Sequence, residues 1–228
     1  MFALDLHVHT WYSKCSNIPP QCAISAARNR KLDGIAITDH NNIKGWKALS
    51  KKRWRDIQII PGIEVATSKG DVLGYFIEEP IRSKKYEEVV DEILDRGGYP
   101  VLAHPFDRLR KSASFPKKPL SASHGIEVIN SRCLLSRANQ EAQTFAVKHG
   151  LSATGGSDAH FHSEVGNGVT LFESIDHEEM LSAFFRNHLR VKGSKSPWMV
   201  HPATLLVRKT RQIFRKGPLW QRRESTIS

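Results

Sequence analysis

Four short segments of this chain place histidine or aspartate directly after an apolar run that has the pattern of a β-strand. They are Asp5-Leu6-His7-Val8-His9, Thr38-Asp39-His40, Ala103-His104-Pro105 and Gly156-Ser157-Asp158-Ala159-His160. The carboxyl ends of parallel strands meet at one edge of a sheet or barrel, so side chains that follow different strands converge there. Imidazole and carboxylate groups are ligands for Zn, Mn and Fe. The recurrence therefore predicts a metal site built from four strand ends.

A single histidine is more often a surface or hydrogen-bonded residue than a ligand. The histidines outside these segments are assigned to that class: His124, His149, His177, His188 and His201. A His-x-His pair is weak by itself as well, since alternate residues of any strand share a face. The same chemistry at four strand ends favours a functional site over four structural coincidences.

The chain of 228 residues suits one α/β domain with a sizeable core. Three scattered cysteines, Cys15, Cys22 and Cys133, are too few for a disulfide framework or a cysteine-based zinc module, and they fit a reducing compartment. No apolar stretch reaches about 18 residues, and Met1-Phe2 enters the first strand without a signal-peptide pattern. We expect a cytoplasmic location.

Short apolar strands alternate with amphipathic helices along the chain, which is the βα pattern and predicts a mostly parallel sheet closed into a barrel. The predicted strands are 3–8, 34–38, 57–63, 72–77, 99–103, 125–129, 152–154, 169–172 and 189–192, and the predicted helices are 23–31, 46–53, 86–96, 136–149 and 178–187. Gly97-Gly98 and Gly150 support two of the helix ends, because glycine adopts the left-handed conformation there.

Residues 193–228 form a basic extension that holds eight Lys/Arg against Glu224, and so carries +7 of the net charge of +11. Within it, residues 203–216 predict a helix that is apolar on one face and basic on the other, packed on the barrel. Contact with nucleic acid or an anionic membrane surface is the alternative interpretation. The loop Arg108–Ser123 is either a solvated loop or a basic lid over the site.

Five ordered motifs then carry a resemblance: Asp-x-His-x-His-Thr, Ile-Thr-Asp-His-Asn, Pro-Gly-Ile-Glu-Val, Ala-His-Pro and Gly-Ser-Asp-Ala-His. Residues 3–192 resemble the polymerase and histidinol phosphatase (PHP) family of metal-dependent phosphoesterases. The resemblance implies a distorted seven-stranded β/α (TIM-like) barrel of the PHP type in residues 1–192, followed by the basic helical tail. It also implies two or three divalent metal ions, Zn, Mn or Fe, at the strand ends.

The resemblance implies a ligand set as well. The first ion would be held by His7, His9, Glu64 and Asp158, a second by Glu64, His104 and Asp71, and a third by His40 and His160. Family members commonly have Asp or His where this chain has Cys15, and often His where it has Asp71. A Cys15 thiolate favours soft metals, whereas a buried thiol would leave the third site one ligand short; both interpretations stay open.

Glu64 can also be interpreted without the resemblance. A carboxylate has two oxygens and can bridge two cations, whereas a neutral imidazole serves one. Glu64 stands in the almost wholly apolar segment 57–65, which argues against a surface carboxylate. Asp5 and Asp39 precede predicted ligands and either orient an imidazole or are buried structural carboxylates.

The resulting hypothesis is a phosphoesterase in which a water or hydroxide shared by two cations about 3.5–4 Å apart attacks phosphorus in line. The predicted catalytic residues are Glu64, Asp158, His160 and Arg132, with Asn130, Arg132 and Arg108 binding the substrate phosphate. Arg110 is the weaker candidate and is interpreted as a surface charge. The predicted partner is a phosphorylated small molecule or nucleotide, and the predicted substrate is a phosphomonoester or a nucleotide or oligonucleotide phosphate.

Two other classes remain as alternatives. One is an amidohydrolase-like hydrolase of C–N bonds, which also uses His-x-His and Asp on a barrel, although no lysine stands where a carbamylated metal bridge is expected. The other is a non-catalytic nucleic-acid-binding barrel similar to a ribonuclease P protein subunit, with the basic tail as its contact. The retained metal ligands favour the phosphoesterase.

Overall fold

The computed structural model describes residues 1–110, 125–187 and 189–214. They form an α/β fold in which one sheet curls into a nearly closed barrel. Its strands are β1 (Phe2–Val8), β2 (Gly34–Ile37), β3 (Gln58–Thr67), β4 (Gly70–Tyr75), β5 (Tyr99–Leu102), β6 (Gly125–Asn130), β7 (Ala153–Gly156), β8 (Gly168–Phe172) and β9 (Arg190–Gly193). The helices are α1 (Pro20–Asn29), α2 (Lys44–Ser50), α3 (Tyr86–Asp95), α4 (Ser136–His149), α5 (His177–Phe185) and α6 (Val200–Phe214).

The sheet has nine strands among the described residues, in the order β7-β6-β5-β4-β3-β2-β1-β8-β9. The seven-stranded barrel implied by the family resemblance is therefore wrong, although each of the nine apolar segments predicted as strands does form one. The two additional strands, β8 and β9, pair with each other, and β8 pairs with the first half of β1.

The expectation of a mostly parallel sheet is also wrong. Four pairings are parallel and four, including β3–β4 and β4–β5, are antiparallel. Only two residues, Ser68 and Lys69, connect β3 to β4. Such a connection can only form a hairpin, because a parallel pair needs a crossover of a dozen or more residues.

The barrel closes where the end of β1 meets the segment after β7. Val8 pairs with Ala159, and the His9 amide donates to the Ala159 carbonyl at 3.0 Å. A Cβ on Gly156 would lie 2.4 Å from the Cβ of His7, so this approach requires glycine at position 156. Further down, the hydroxyl of Thr170 on β8 bridges to the Gly155 backbone. The β8–β9 hairpin thus occupies the part of the barrel wall that β1 and β7 leave open.

An aromatic cluster fills the end of the barrel at which β1 begins. The ring of Phe184 on α5 stacks on Tyr75 and Tyr99 at 5.5 and 4.7 Å and meets Phe172 edge-on at 5.4 Å. All four rings are buried. Since α5 closes this end, the opposite end, where β1, β2, β5 and β7 finish, is left for a functional site.

Helix α6 lies against loops at that opposite end, and its leucines do not point inward. Leu205 and Leu206 are 60% and 64% exposed, so these two leucines are not part of a face packed on the barrel. The packing of the whole apolar face predicted for residues 203–216 stays a prediction, because the side chains beyond Arg211 are outside the described ones. The half-buried positions of α6 are instead mixed in character: Val200, His201, Ala203, Thr204, Val207, Thr210 and Arg211. Most of the loop predicted as a lid (111–123) and the end of the tail (215–228) lie outside the described residues.

No helix among the described residues has the length and apolar character needed to span a membrane. The division into a domain of residues 1–192 and an extension of 193–228 stays a prediction.

Two adjacent phenylalanines of α5 test the packing of this core. We expect Phe184→Ala to lower the free energy of unfolding by about 3–5 kcal/mol, because it empties the centre of the aromatic cluster. Phe185→Ala is the matched control, since its side chain is 56% exposed, and should cost less than about 1 kcal/mol. Urea denaturation followed by far-UV circular dichroism measures both. Equal losses would contradict the assignment of Phe184 to the core.

Candidate metal centre

The side chains predicted as metal ligands come together at the end of the barrel opposite α5. His7 lies near the end of β1, and the other histidines and Asp158 follow β1, β2, β5 and β7. Glu64 in the middle of β3 and Asp71 at the start of β4 join them. Most of them are buried, whereas His40 and Cys15 are partly exposed. The convergence agrees with the expectation that strand ends of one barrel meet at one edge.

Glu64 lies at the centre of this cluster. Its Oε1 is 3.1 Å from His104 Nε2 and 3.5 Å from His7 Nε2. Its Oε2 is 3.2 Å from His9 Nε2 and 2.7 Å from His40 Nδ1. Each oxygen therefore faces two imidazoles, yet Oε2 is buried and makes no hydrogen bond of acceptable geometry. This is the arrangement expected of a carboxylate that is shared between cations.

Among the residues that the structure describes, three groups of side chains could each hold a cation, because within each group the ligand atoms lie within 4.8 Å of one another. The groups are His7, His9 and Asp158; His7, Glu64 and His104; and His9, His40 and His160. His7 and His9 each belong to two of them. Two of these sets combine imidazole with a carboxylate and the third is all imidazole, and such donors fit divalent Zn, Mn or Fe.

Cys15 and Asp71 lie at the edges of the cluster. The Cys15 Sγ is 3.1 Å from His160 Nε2, next to the group that contains His40. An Asp71 carboxylate oxygen lies 3.9 Å from His104 Nε2. Both side chains are therefore close enough to these histidines to share a cation with them.

Glu127 on β6 was not predicted as a site residue, yet its carboxylate orients members of the cluster through hydrogen bonds. Its Oε1 accepts from His7 Nδ1 at 2.9 Å, and its Oε2 accepts from the His104 amide at 2.9 Å and from Asn130 Nδ2 at 3.0 Å. A signal for it exists, because Gly-Ile-Glu-Val occurs twice, at 62–65 and at 125–128. A carboxylate inside an apolar strand, which identified Glu64, identifies Glu127 equally well.

Hydrogen bonds at the outer ring nitrogens orient three of the imidazoles. His7 Nδ1 donates to Glu127, and His160 Nδ1 donates to the Asp158 carbonyl at 2.8 Å. His9 Nδ1 is 3.3 Å from the hydroxyl of Ser13. In each neutral ring the lone pair is then on Nε2, which faces the cluster.

Asp39 and Asp5 differ in what they support. Asp39 accepts from the Ser13 hydroxyl at 2.5 Å, and therefore orients His9 through Ser13. Asp5 instead accepts from the backbone amides of Ser157 and Gly166, at 2.9 and 2.7 Å. Burial raises the pKa of each aspartate to about 6, against the lowering effect of these hydrogen bonds.

The charges of the cluster are mutually stabilised. Burial alone would raise the pKa of Glu64, but the positive charges of His40 and His7 hold it well below its usual value. Burial would likewise raise the pKa of Asp158, which Arg110 and then His7 lower well below normal. Both carboxylates are therefore ionised at neutral pH, as metal ligands must be.

The histidines divide into two kinds. Burial opposes protonation of His7 and His40, but neighbouring carboxylates, Glu127 and Glu64 foremost, raise the pKa of both rings well above normal. Burial and the charge of His40 lower the pKa of His9 to about 4, and burial and His9 lower that of His160. The negative potential that favours a proton on His7 also favours a cation beside it.

The three arginines considered as phosphate ligands occupy different places. Arg110, interpreted from the sequence as a surface charge, is in the site: its Nη2 donates to Asp158 Oδ2 at 2.5 Å and lies 3.4 Å from Asn130 Oδ1. Arg132 is buried, and its Nη2 donates to Thr204 Oγ1 on α6 at 2.7 Å. Arg108 is largely exposed and lies 3.6 Å from Glu141 on α4.

Two of the central residues have a left-handed backbone conformation. The φ angles are +30° at His104 and +55° at Asp158. Such conformations of non-glycine residues cost about 1–3 kcal/mol and persist where the surroundings enforce them. Glu127, which binds the His104 amide, and Arg110, which binds the Asp158 carboxylate, are the enforcing contacts.

Comparisons with known proteins agree with this architecture. A family model described as PHP-associated matches residues 136–187. The uncharacterized protein MJ0417 of Methanocaldococcus jannaschii is 34% identical over 215 residues, which cover 86% of each chain.

Two solved structures share the fold. A two-domain protein containing a predicted PHP-like metal-dependent phosphoesterase, from Bacteroides vulgatus, matches with a TM-score of 0.71 at 18% identity, over 85% of this chain and 65% of its own. This chain therefore spans less than two thirds of that protein. PsfC from Pseudomonas syringae matches with a TM-score of 0.69 at 19% identity, over 92% of this chain and 98% of its own. By its motifs, its relatives and its barrel, the chain belongs to the PHP family.

Proposed function

We propose that this protein is a metal-dependent phosphoesterase that hydrolyses a phosphomonoester or a nucleotide phosphate. The observation that carries the proposal is the buried carboxylate of Glu64, whose two oxygens each face two imidazoles. A dinuclear centre needs such a bridging group. The Bacteroides vulgatus protein of the same fold, which contains a predicted PHP-like metal-dependent phosphoesterase, supports the same class.

The proposed ligands follow from these contacts. His7, His9, Glu64 and Asp158 hold one divalent ion; Glu64, His104 and Asp71 hold a second; and His40, His160 and Cys15, with His9 nearby, hold a third. Bound divalent cations supply Lewis acidity, which acidifies water and offsets charge on phosphoryl oxygens. Glu127 and the Ser13–Asp39 pair keep the imidazole lone pairs directed inward.

Arg110 and Asn130 are the proposed contacts to the substrate phosphate. The guanidinium of Arg110 is the cation closest to Asp158, and its Nε is paired with Asp107 at 2.9 Å. This pairing fixes the planar group at the rim of the site, and a guanidinium so fixed suits a phosphate with two acceptor oxygens. Arg110 thus takes the position that the sequence analysis gave to Arg132.

The two alternative classes have less support. A carbamylated lysine bridge needs a lysine within the site, but every lysine among the described residues is exposed, and Glu64 occupies the bridging position. A purely nucleic-acid-binding barrel needs no convergent ligands, whereas here Glu127 and Asp39 orient them individually. Binding of nucleic acid through the basic tail stays a prediction.

Removing one ligand tests the centre. We expect His9→Ala or Asp158→Ala to abolish bound metal and phosphatase activity while the protein stays folded, since side chains at the barrel rim serve chemistry more than the core. His177→Ala is the matched control, because His177 is exposed on α5. Metal content by mass spectrometry, p-nitrophenyl phosphate hydrolysis and circular dichroism are compared. Full activity in either site variant rejects the assignment.

Glu127→Gln tests the support behind the ligands. The amide of glutamine would face the His104 amide and the Asn130 amide, so donors would oppose donors. We expect metal affinity to fall about 10- to 100-fold, as is usual when a carboxylate behind a ligating histidine is lost. Competition with a fluorescent chelator measures it, with the partly exposed Glu141→Gln as control. Unchanged affinity would show that Glu127 is only structural.

Cys15→Asp distinguishes the two interpretations of the third site. If Cys15 is a thiol beside an incomplete site, aspartate adds a hard ligand, and metal stoichiometry or Mn-supported activity rises. If Cys15 binds zinc as a thiolate, the variant loses zinc. The exposed Cys22→Asp is the control. No change in metal content or rate would show that position 15 is not a ligand.

A further inference from the structure

Helix α6 is fixed across the rim of the candidate site by hydrogen bonds at both ends. Near its start, Arg132 Nη2 donates to Thr204 Oγ1 at 2.7 Å and to the Val200 carbonyl at 3.2 Å. Near its end, Arg211 Nη1 donates to the carbonyls of Trp11 and Ser13, at 2.7 and 3.2 Å. The helix therefore runs from the loop after β6 to the loop after β1.

Those two loops flank the segment after β7, which carries Asp158 and His160. Thr204 and Arg211 are seven positions apart, which corresponds to about 10 Å along a helix that is itself about 10 Å wide with its side chains. His201 on α6 also lies near the charged groups of the site. Partial burial and the charges of Arg132 and Arg110 lower its pKa, whereas the charges of Asp158 and Asp107 raise it. The inner side of α6 thus forms one wall of the site.

Among the side chains that the structure describes, hydrogen bonds join α6 to the barrel loops, and its partly buried apolar side chains are Val200, Ala203 and Val207. Leu205 and Leu206 face outward, whereas α5 buries Met180 and Phe184 in the core. The position of α6 therefore depends on the hydrogen bonds at its two ends. Arg132 makes the hydrogen bonds near the start of α6. It is buried, lies 3.6 Å from Glu164, and donates from its Nη2 to Val200 and Thr204 of the helix.

We propose that α6 is a specificity-determining wall of the active site, held in place by Arg132 as a positioning residue, and that it admits small phosphate esters while excluding polymeric ones. The inference rests on the proposed phosphoesterase function. Arg132 then does not bind the substrate phosphate: its Nη2 donates to Thr204 and Val200, and its Nη1, which makes no hydrogen bond, is buried 3.6 Å from Glu164.

Thr204→Val tests the proposal, since valine keeps the shape of threonine but cannot accept the hydrogen bond from Arg132. Thr210→Val is the matched control: it lies on the same helix, and its hydroxyl bonds only to the carbonyls of Leu206 and Val207. Deuterium exchange of peptides from α6 is measured in full-length, metal-loaded protein. We expect exchange in Thr204→Val to be about tenfold faster than in the control, because a hydrogen bond from a charged donor is lost.

The second readout is kcat/KM for p-nitrophenyl phosphate against a 5′-phosphorylated ten-nucleotide DNA. We expect Thr204→Val and Arg132→Met to shift selectivity in the same direction, toward the oligonucleotide, with Thr210→Val unchanged. A rise in KM for p-nitrophenyl phosphate in Arg132→Met alone would show that Arg132 binds phosphate directly and would overturn the proposal. So would equal exchange in the two threonine variants, or unchanged selectivity despite faster exchange.

The two proposals fail differently. Wild-type protein that hydrolyses neither substrate would reject the proposed function. The exchange comparison would still accept or reject the role of Arg132 in holding α6.

Discussion

The close approach of β1 to the end of β7 is the contact on which the candidate site depends. Gly156 allows it, because any side chain at that position would collide with His7. The approach places His7 and His9 beside Asp158 and His160, which are some 150 positions away in the chain. Without closure at this point, the side chains that follow β1 and those that follow β7 would be far apart and would not form one cluster.

Closure of the barrel buries ionised carboxylates, which is electrostatically unfavourable, and contacts within the site offset this cost. Ionised carboxylates buried without partners are strongly unfavourable. Here Glu64 faces four imidazoles, Glu127 accepts three hydrogen bonds, and Asp158 pairs with Arg110. Buried ion pairs of this kind are weak sources of stability, and residues that retain them commonly serve function. The left-handed backbone at His104 and Asp158 fits the same interpretation, since such conformations concentrate at functional sites.

Much of this arrangement could be predicted from the sequence, because strand periodicity and the position of polar residues after each strand are local signals. The nine strands and the convergence of the strand ends follow from them. The direction of the strands does not follow from these signals, because the antiparallel pairing of β3 with β4 depends on how short the Ser68-Lys69 connection is. Glu127 was not predicted because it lies within a strand, whereas the pattern used to find site residues was that of polar residues after strands.

The roles of Arg110 and Arg132 could not be separated from the sequence, since each follows a predicted strand and each is a plausible phosphate contact. Only the three-dimensional position of α6 distinguishes them: it takes the guanidinium of Arg132 and leaves Arg110 at Asp158. Amphipathicity favoured burying Leu205 and Leu206 of α6, but both are exposed, and the helix is hydrogen-bonded to the barrel loops near Thr204 and at Arg211.

The central claim is that Glu64 bridges cations within this cluster. A crystal structure of protein reconstituted with Mn or Zn, with anomalous diffraction recorded at the absorption edge of the metal, tests it most directly. We expect at least two anomalous peaks, one on each side of the Glu64 carboxylate: one in contact with His7, His9 and Asp158, the other with His104. Anomalous peaks only at surface histidines, or none within the cluster at saturating metal, would contradict it.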